Sequence, residues 1–132
     1  MSLTDPRRPV DDLIERLVKP DGHDWLKRAV GGHAVLMRSI GEAAAERPSL
    51  ESLVALKERQ KERLAEAATV EQALAALAAY CLCVASALAL HGVLISSQTR
   101  DDWDALLVDL AEVMPPPWRD LLIDAASREV AR

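Results

Sequence analysis

The chain has 132 residues, of which 50% are hydrophobic and 28% are charged, and its formal net charge is -5 at pH 7. This length suits one domain with its own core, and the hydrophobic content excludes a disordered chain. Arg and Lys are spread along the sequence, whereas a nucleic-acid groove needs a concentrated basic face. We therefore expect one folded domain over residues 1–132 that binds no nucleic acid.

Two helices are predicted in the first third of the chain. Apolar residues recur at helical spacing from Val10 to Val18, directly after Pro9. The Pro-Asp-Gly sequence at 20–22 predicts a turn after this helix. A second helix is predicted from near Asp24 to just before Pro48, and its glycines at 31, 32 and 41 indicate either a close backbone approach or a break.

A third helix is predicted to begin after Ser49, a good capping residue. Its apolar seam is narrow and contains Leu53, Leu56, Gln60, Leu64 and Ala67. The segment KERQKER at 57–63 surrounds that seam with charge. We interpret it as a solvated face whose long cationic side chains lie over the edge of the core.

The eighteen residues 73–90, ALAALAAYCLCVASALAL, contain no charge, Gly or Pro. A helix that is apolar all round lies inside a protein or a bilayer. Eight of the eighteen are Ala, which favours membrane insertion far less than Leu, and no Trp/Tyr belt flanks them. We therefore expect no membrane span. The predicted fold is all-α: a compact bundle of five or six helices around this central buried helix, at about 70–92.

Capping signals place the remaining helix boundaries. Thr69 and Gln72 have capping-box spacing at the start of the central helix, and Gly92 is suited to end it. Thr99 and Asp102 repeat the signal before a fifth helix. The three prolines at 115–117 separate it from a last helix, with Pro117 in the first turn.

A homo-oligomer is expected from the surface of the central helix. One of its seams carries mostly small side chains, among them Ala76, Ala79 and Cys83. An all-round apolar helix needs neighbours on every side, and we expect a second copy of the chain to cover part of this small seam or the apolar edges of the terminal helices. The N-terminal sequence MSLTDPRRPVDD has no apolar stretch typical of a signal peptide, so a cytoplasmic location is expected.

The sequence has no motif typical of zinc, di-iron, redox or nucleotide sites, so we expect no metal and no cofactor. Cys81 and Cys83 stand about 200° apart around a helix and cannot share a ligand or a disulfide. They are interpreted as inert core thiols. His23 is predicted to be solvated in a turn, and His91 to contact free carbonyls at the end of the central helix.

His33 lies on the apolar seam of the second predicted helix, one turn before Met37. Two interpretations stay open: a buried histidine with a hydrogen-bond partner, or a ligand-binding or catalytic group acting with Arg28 or Arg38. No residue is assigned a catalytic role on the first interpretation. The second makes the protein a small-ligand binder or an enzyme.

The segment Arg28-Ala29-Val30-Gly31-Gly32-His33 resembles the Arg-x(4-6)-His signature of HEPN ribonucleases. The resemblance implies an all-helical, dimeric RNase in which Arg28 and His33 act together on RNA. Ala29 departs from the family pattern, which has a polar residue there, and Arg16 with His23 satisfies the same spacing. The favoured hypothesis is a non-catalytic, homo-oligomeric interaction or regulatory module with a possible protein partner, and the HEPN-like ribonuclease is the enzyme alternative.

Overall fold

A computed structural model describes residues 8–32, 46–114 and 116–130, and these form helices without any strand. In chain order the helices are α1 (Arg8–Leu17), α2 (Pro20–Gly32), α3 (Leu50–Glu66), α4 (Val70–His91), α5 (Arg100–Ala111) and α6 (Pro116–Ser127). The predicted all-α class is confirmed. Helix α4 packs against α2, α3 and α6, while α5 packs against α2 and α6.

Helix α4 is the predicted central helix, with the predicted ends. The Thr69 side chain accepts a hydrogen bond from the Gln72 N–H, and the chain leaves the helix through Gly92 at φ 66°. The Gly92 N–H donates to the Leu88 carbonyl at 3.0 Å. All fourteen residues from Ala76 to Ala89 are buried. The expectation of a buried core helix is confirmed.

Of the helices that the structure describes, only α4 is long and apolar enough to cross a membrane by length and composition. Its most apolar stretch has a mean hydropathy of 2.2, and 72% of that stretch is buried inside the protein. The core helix of a globular protein has the same properties, so the composition of α4 is weak evidence for a membrane span.

The small seam of α4 is already covered within the single chain. Ala76 is 5% exposed, Ala79 1% and Cys83 0%. The expectation that a second copy covers this seam is therefore wrong. The neighbouring helices of the same chain cover more of the α4 surface than expected. Ala side chains allow close approach, and α2, α3 and α6 all contact α4.

The start of α2 differs from the prediction. A turn was expected at residues 20–22, but Pro20 is the first residue of the helix. Proline suits this position because its φ is already helical and its missing N–H would be unpaired there anyway. Gly22 then lies against the end of α1. A Cβ at Gly22 would be 2.6 Å from the Arg16 carbonyl oxygen and 2.7 Å from that of Leu17.

Helix α2 is described up to Gly32, and residues 33–45 of the longer predicted helix lie outside the described residues. Among the described residues, no atom lies within 4 Å of a Cβ built on Gly31. This glycine therefore marks no close backbone approach to the described part of the chain.

The predicted caps of α3 and α5 are confirmed. Ser49 Oγ accepts a hydrogen bond from the Ser52 N–H at 3.1 Å. At α5 the capping box is complete, because Thr99 Oγ1 accepts from the Asp102 N–H and the Asp102 carboxylate accepts from the Thr99 N–H. Each bond satisfies a backbone group that the first helical turn leaves without a partner.

Arginine side chains bind the carboxyl ends of neighbouring helices. Arg128 donates to the Ala89 carbonyl near the end of α4 at 2.9 Å. Arg100 donates from one nitrogen to the Ala125 and Ala126 carbonyls of α6. The last four carbonyls of a helix have no partner within it, and a cation also interacts favourably with the negative end of the helix dipole. These contacts join the ends of α6 and α4 to residues that are distant in sequence.

We predict that Gly22→Ala lowers the free energy of unfolding by about 2–3 kcal/mol, because the new methyl group would overlap α1 backbone that cannot easily move. Gly31→Ala on the same helix is the control. It should be neutral or stabilising by up to ~1 kcal/mol, since the space is open and Ala favours a helix. Urea unfolding monitored by circular dichroism measures both, and equal effects would contradict the close α1–α2 contact.

We predict that the protein loses stability at alkaline pH because its two thiols are buried. Burial raises the pKa of Cys81 well above its ordinary value and that of Cys83 to about 12. Unfolded thiols ionise near pH 9 while the folded ones stay neutral, so the free energy of unfolding should fall as the pH rises above about 9. Denaturant titrations at pH 7 to 10.5 measure this, and a Cys81→Ala/Cys83→Ala variant should show a shallower dependence.

The same thiols should react with an aromatic disulfide reagent only as fast as the protein unfolds, because the thiolate is the reactive form. Rapid labelling of both thiols in the native protein would contradict their placement in the core.

Candidate functional site

His23 is a buried residue of the first turn of α2, with a relative exposure of 2%. The prediction of a solvated histidine in a turn is therefore wrong. The error follows from the helix boundary: once α2 begins at Pro20, residue 23 lies within the helix, where α2 packs against α5.

Both ring nitrogens of His23 contact acceptors. Nδ1 lies 2.5 Å from Asp109 Oδ2 on α5, and Nε2 lies 3.3 Å from the carbonyl oxygen of Val18. A neutral imidazole donates to one of these two acceptors, and a doubly protonated ring donates to both. In either form the ring is oriented by two elements that are distant in sequence, and both nitrogens face protein atoms. This arrangement positions α2; it does not present a nitrogen to a substrate.

A second polar contact, an ion pair, connects α2 to the residue that follows α5. Lys27 Nζ lies 3.2 Å from Glu112 Oε2, and this hydrogen bond raises the pKa of Lys27. The two pairs differ in their surroundings, because the His23 side chain is 3% exposed whereas that of Lys27 is 24% exposed. The inner pair therefore contributes more to the geometry of the interface, since exposed ion pairs contribute little.

A concavity of about 260 Å³ lies between α1 and α2, next to the buried histidine in sequence. Its walls contain Leu13, Arg16, Leu17, Asp21, Gly22 and Trp25. Leu17 is buried, Leu13 and Trp25 are half-buried, and both charged side chains are exposed. The concavity thus combines a buried leucine with one cation and one anion.

The residues proposed for a histidine-based site are not brought together by the described part of the chain. His33 and Arg38 lie outside the described residues, and Arg28 is an exposed residue of α2. The Arg28 and His33 pair of the HEPN resemblance therefore stays a prediction. The alternative pair with the same spacing does not form an open site, because His23 is buried and both its nitrogens contact acceptors, while Arg16 is exposed.

His91 contacts a loop instead of the end of its own helix. Its Nε2 lies 2.8 Å from the carbonyl oxygen of Pro48, and Arg128 binds the Ala89 carbonyl of α4. The prediction that His91 contacts the free carbonyls of α4 is wrong, because the loop before α3 comes within reach of the ring. Within residues 8–32, 46–114 and 116–130, no three His, Cys, Asp or Glu side chains are grouped as metal ligands.

The chain matches no family model, and no characterised protein or solved structure is significantly similar to it.

Sequence reasoning missed both the buried histidine and the concavity. Proline at the first helical position was the one signal that could have placed His23 inside α2. Asp109 is 86 residues away in sequence, and no local pattern indicates that it is the partner. The concavity depends on the approach of α1 and α2 at Gly22, which the sequence suggests only as a turn.

We predict that His23→Ala lowers the free energy of unfolding by about 2 kcal/mol, since it removes a buried hydrogen-bonded ring and leaves the Asp109 contact unmade. A double-mutant cycle of His23→Ala with Asp109→Asn should give a coupling of about 1 kcal/mol. Lys27→Ala is the control and should change stability much less, because its ion pair is exposed. A coupling near zero would show that the two side chains do not stabilise each other.

Proposed function

We propose that the protein is a non-catalytic homo-oligomeric module that acts through protein interaction or regulation. The observation that carries this proposal is the exposure of three large aliphatic side chains on α5, directly after α5 and on α6. Val108 on α5 is 52% exposed, Val113 after α5 43% and Ile123 on α6 48%. Helices α5 and α6 pack against each other, so these side chains belong to one supersecondary unit. Large aliphatic side chains concentrated on one unit are typical of interaction surfaces.

The chemistry of the described side chains supports a non-catalytic role. The ring nitrogens of His23 are held by Asp109 and Val18, and His91 contacts the Pro48 carbonyl. Cys81 and Cys83 are buried, and burial raises the pKa of both thiols. Nucleophilic catalysis by cysteine needs an accessible thiolate, and the core location provides neither access nor ionisation.

A cytoplasmic location is part of the same proposal. Both cysteines of the chain are free thiols in the core of the bundle. Unpaired cysteines are usual in reducing compartments, where disulfides are rare.

We expect the protein to form a dimer or a higher closed oligomer at micromolar concentration, as measured by sedimentation velocity. Val108→Glu with Ile123→Glu should shift it to the monomer, because each substitution places a charge in the proposed apolar contact. Both side chains are exposed in the single chain, so the fold itself should be retained. Circular dichroism and thermal unfolding check this point.

Val70→Glu is the matched control. Val70 is 70% exposed, more than either valine of the proposed surface, but it lies at the start of α4 and outside the α5 and α6 unit. This variant should associate like the wild-type chain. A wild-type monomer at micromolar concentration would contradict the proposal, and so would an equal loss of association in the control.

A further inference from the structure

The concavity between α1 and α2 has walls of defined chemistry. On α2, Asp21 and Trp25 are four residues apart and therefore lie on the same face of the helix. On α1, Leu13 and Arg16 are three residues apart and likewise share a face. The concavity is thus lined by an anion and an indole ring from α2 and by a cation and a leucine from α1. The two charges stand on different helices, and no ion pair joins Arg16 to Asp21.

The two walls are held in a fixed relation. Gly22 allows the start of α2 to approach the end of α1 so closely that a Cβ would be 2.8 Å from the Leu17 Cα. The Gly22 N–H donates to the Lys19 carbonyl at 2.8 Å, and the His23 ring contacts the Val18 carbonyl. Backbone contacts therefore hold the two walls of the concavity in place. A ligand would bind without the entropy cost of ordering them.

The volume of the concavity is suited to a small molecule. Its volume of about 260 Å³ is below the roughly 300–1,000 Å³ of pockets that enclose drug-sized ligands. Two opposite charges at the rim are complementary to a molecule that carries both an ammonium and a carboxylate group. The floor of Leu17, with Leu13 and Trp25 beside it, is complementary to an apolar side chain.

We propose that this concavity binds a free α-amino acid with an apolar side chain. Arg16 pairs with the carboxylate of the ligand, and Asp21 pairs with its ammonium group, which the face of the Trp25 indole also attracts. The leucines of α1 contact the ligand side chain. The site uses neither His33 nor Arg38 and does not depend on oligomerisation, so it goes beyond the proposed interaction role.

Isothermal titration calorimetry with L-leucine tests the proposal, with L-leucine methyl ester and N-acetyl-L-leucine as matched ligands. The ester lacks the anionic group and the acetyl derivative lacks the cationic group. We expect saturable binding of L-leucine and about fivefold weaker binding of each derivative, the upper end of what an exposed ion pair contributes. Quenching or a shift of the Trp25 fluorescence should accompany binding and disappear in Trp25→Leu.

Variants that remove one charge test which side chain binds the carboxylate of the ligand and which binds its ammonium group. Arg16→Gln should weaken L-leucine binding about fivefold and leave the affinity for the methyl ester unchanged. Asp21→Asn should weaken L-leucine binding about fivefold and leave the affinity for N-acetyl-L-leucine unchanged. The controls are Arg28→Gln and Asp24→Asn, exposed residues of α2 that do not line the concavity. Both controls should bind L-leucine like the wild type. Thermal unfolding confirms that each variant is folded.

Three outcomes would overturn the proposal. The first is an absence of saturable L-leucine binding up to millimolar concentration. The second is equal binding of the ester or the acetyl derivative by the wild-type chain, which would show that one charge plays no part. The third is a control variant that weakens binding as much as Arg16→Gln or Asp21→Asn, which would indicate a general charge effect.

Discussion

Helix α4 has no polar face, and this constraint organises the rest of the structure. Burial of apolar surface is the main favourable contribution to folding, and an amphipathic helix satisfies it with one neighbouring layer. A helix that is apolar around its whole circumference needs neighbours on all sides. Fourteen consecutive residues of α4 are buried, and α2, α3 and α6 contact it. The many Ala side chains reduce the distance to these neighbours, so a chain of 132 residues encloses the helix without a second copy.

The ends of packed helices also lose contact with water. Arginine side chains donate hydrogen bonds to the carbonyls there. Carbonyls at the end of α4 and α6 receive hydrogen bonds from Arg128 and Arg100, and Arg119 reaches the Ala111 carbonyl at the end of α5. A buried carbonyl without a partner costs about 1–3 kcal/mol, so these part-buried hydrogen bonds stabilise the packed helix ends. They connect segments that are distant in sequence. Arg100, Arg119 and Arg128 therefore contribute to the packing of the helix ends.

Helix α2 connects the two surfaces to which we assign functions. At its start it forms one wall of the concavity with Asp21 and Trp25, and one residue of the same turn, His23, contacts Asp109 of α5. Val108, the residue before Asp109, is part of the exposed apolar surface. The proposed small-molecule site and the proposed interaction surface thus lie on helices that are joined by a part-buried hydrogen bond.

The sequence by itself determined the helical class, the central helix and most helix ends, because these depend on local chemistry. An uncharged run without Gly or Pro, a capping box at Thr99 and a left-handed position at Gly92 each act within a few residues. Only the tertiary structure decided which side chains meet. The partner of His23 is 86 residues away, the small seam of α4 is covered by the same chain, and the concavity exists because Gly22 admits the backbone of α1. Such contacts depend on how the helices pack in three dimensions. Hydrophobic periodicity along the chain does not indicate which distant residue a side chain contacts.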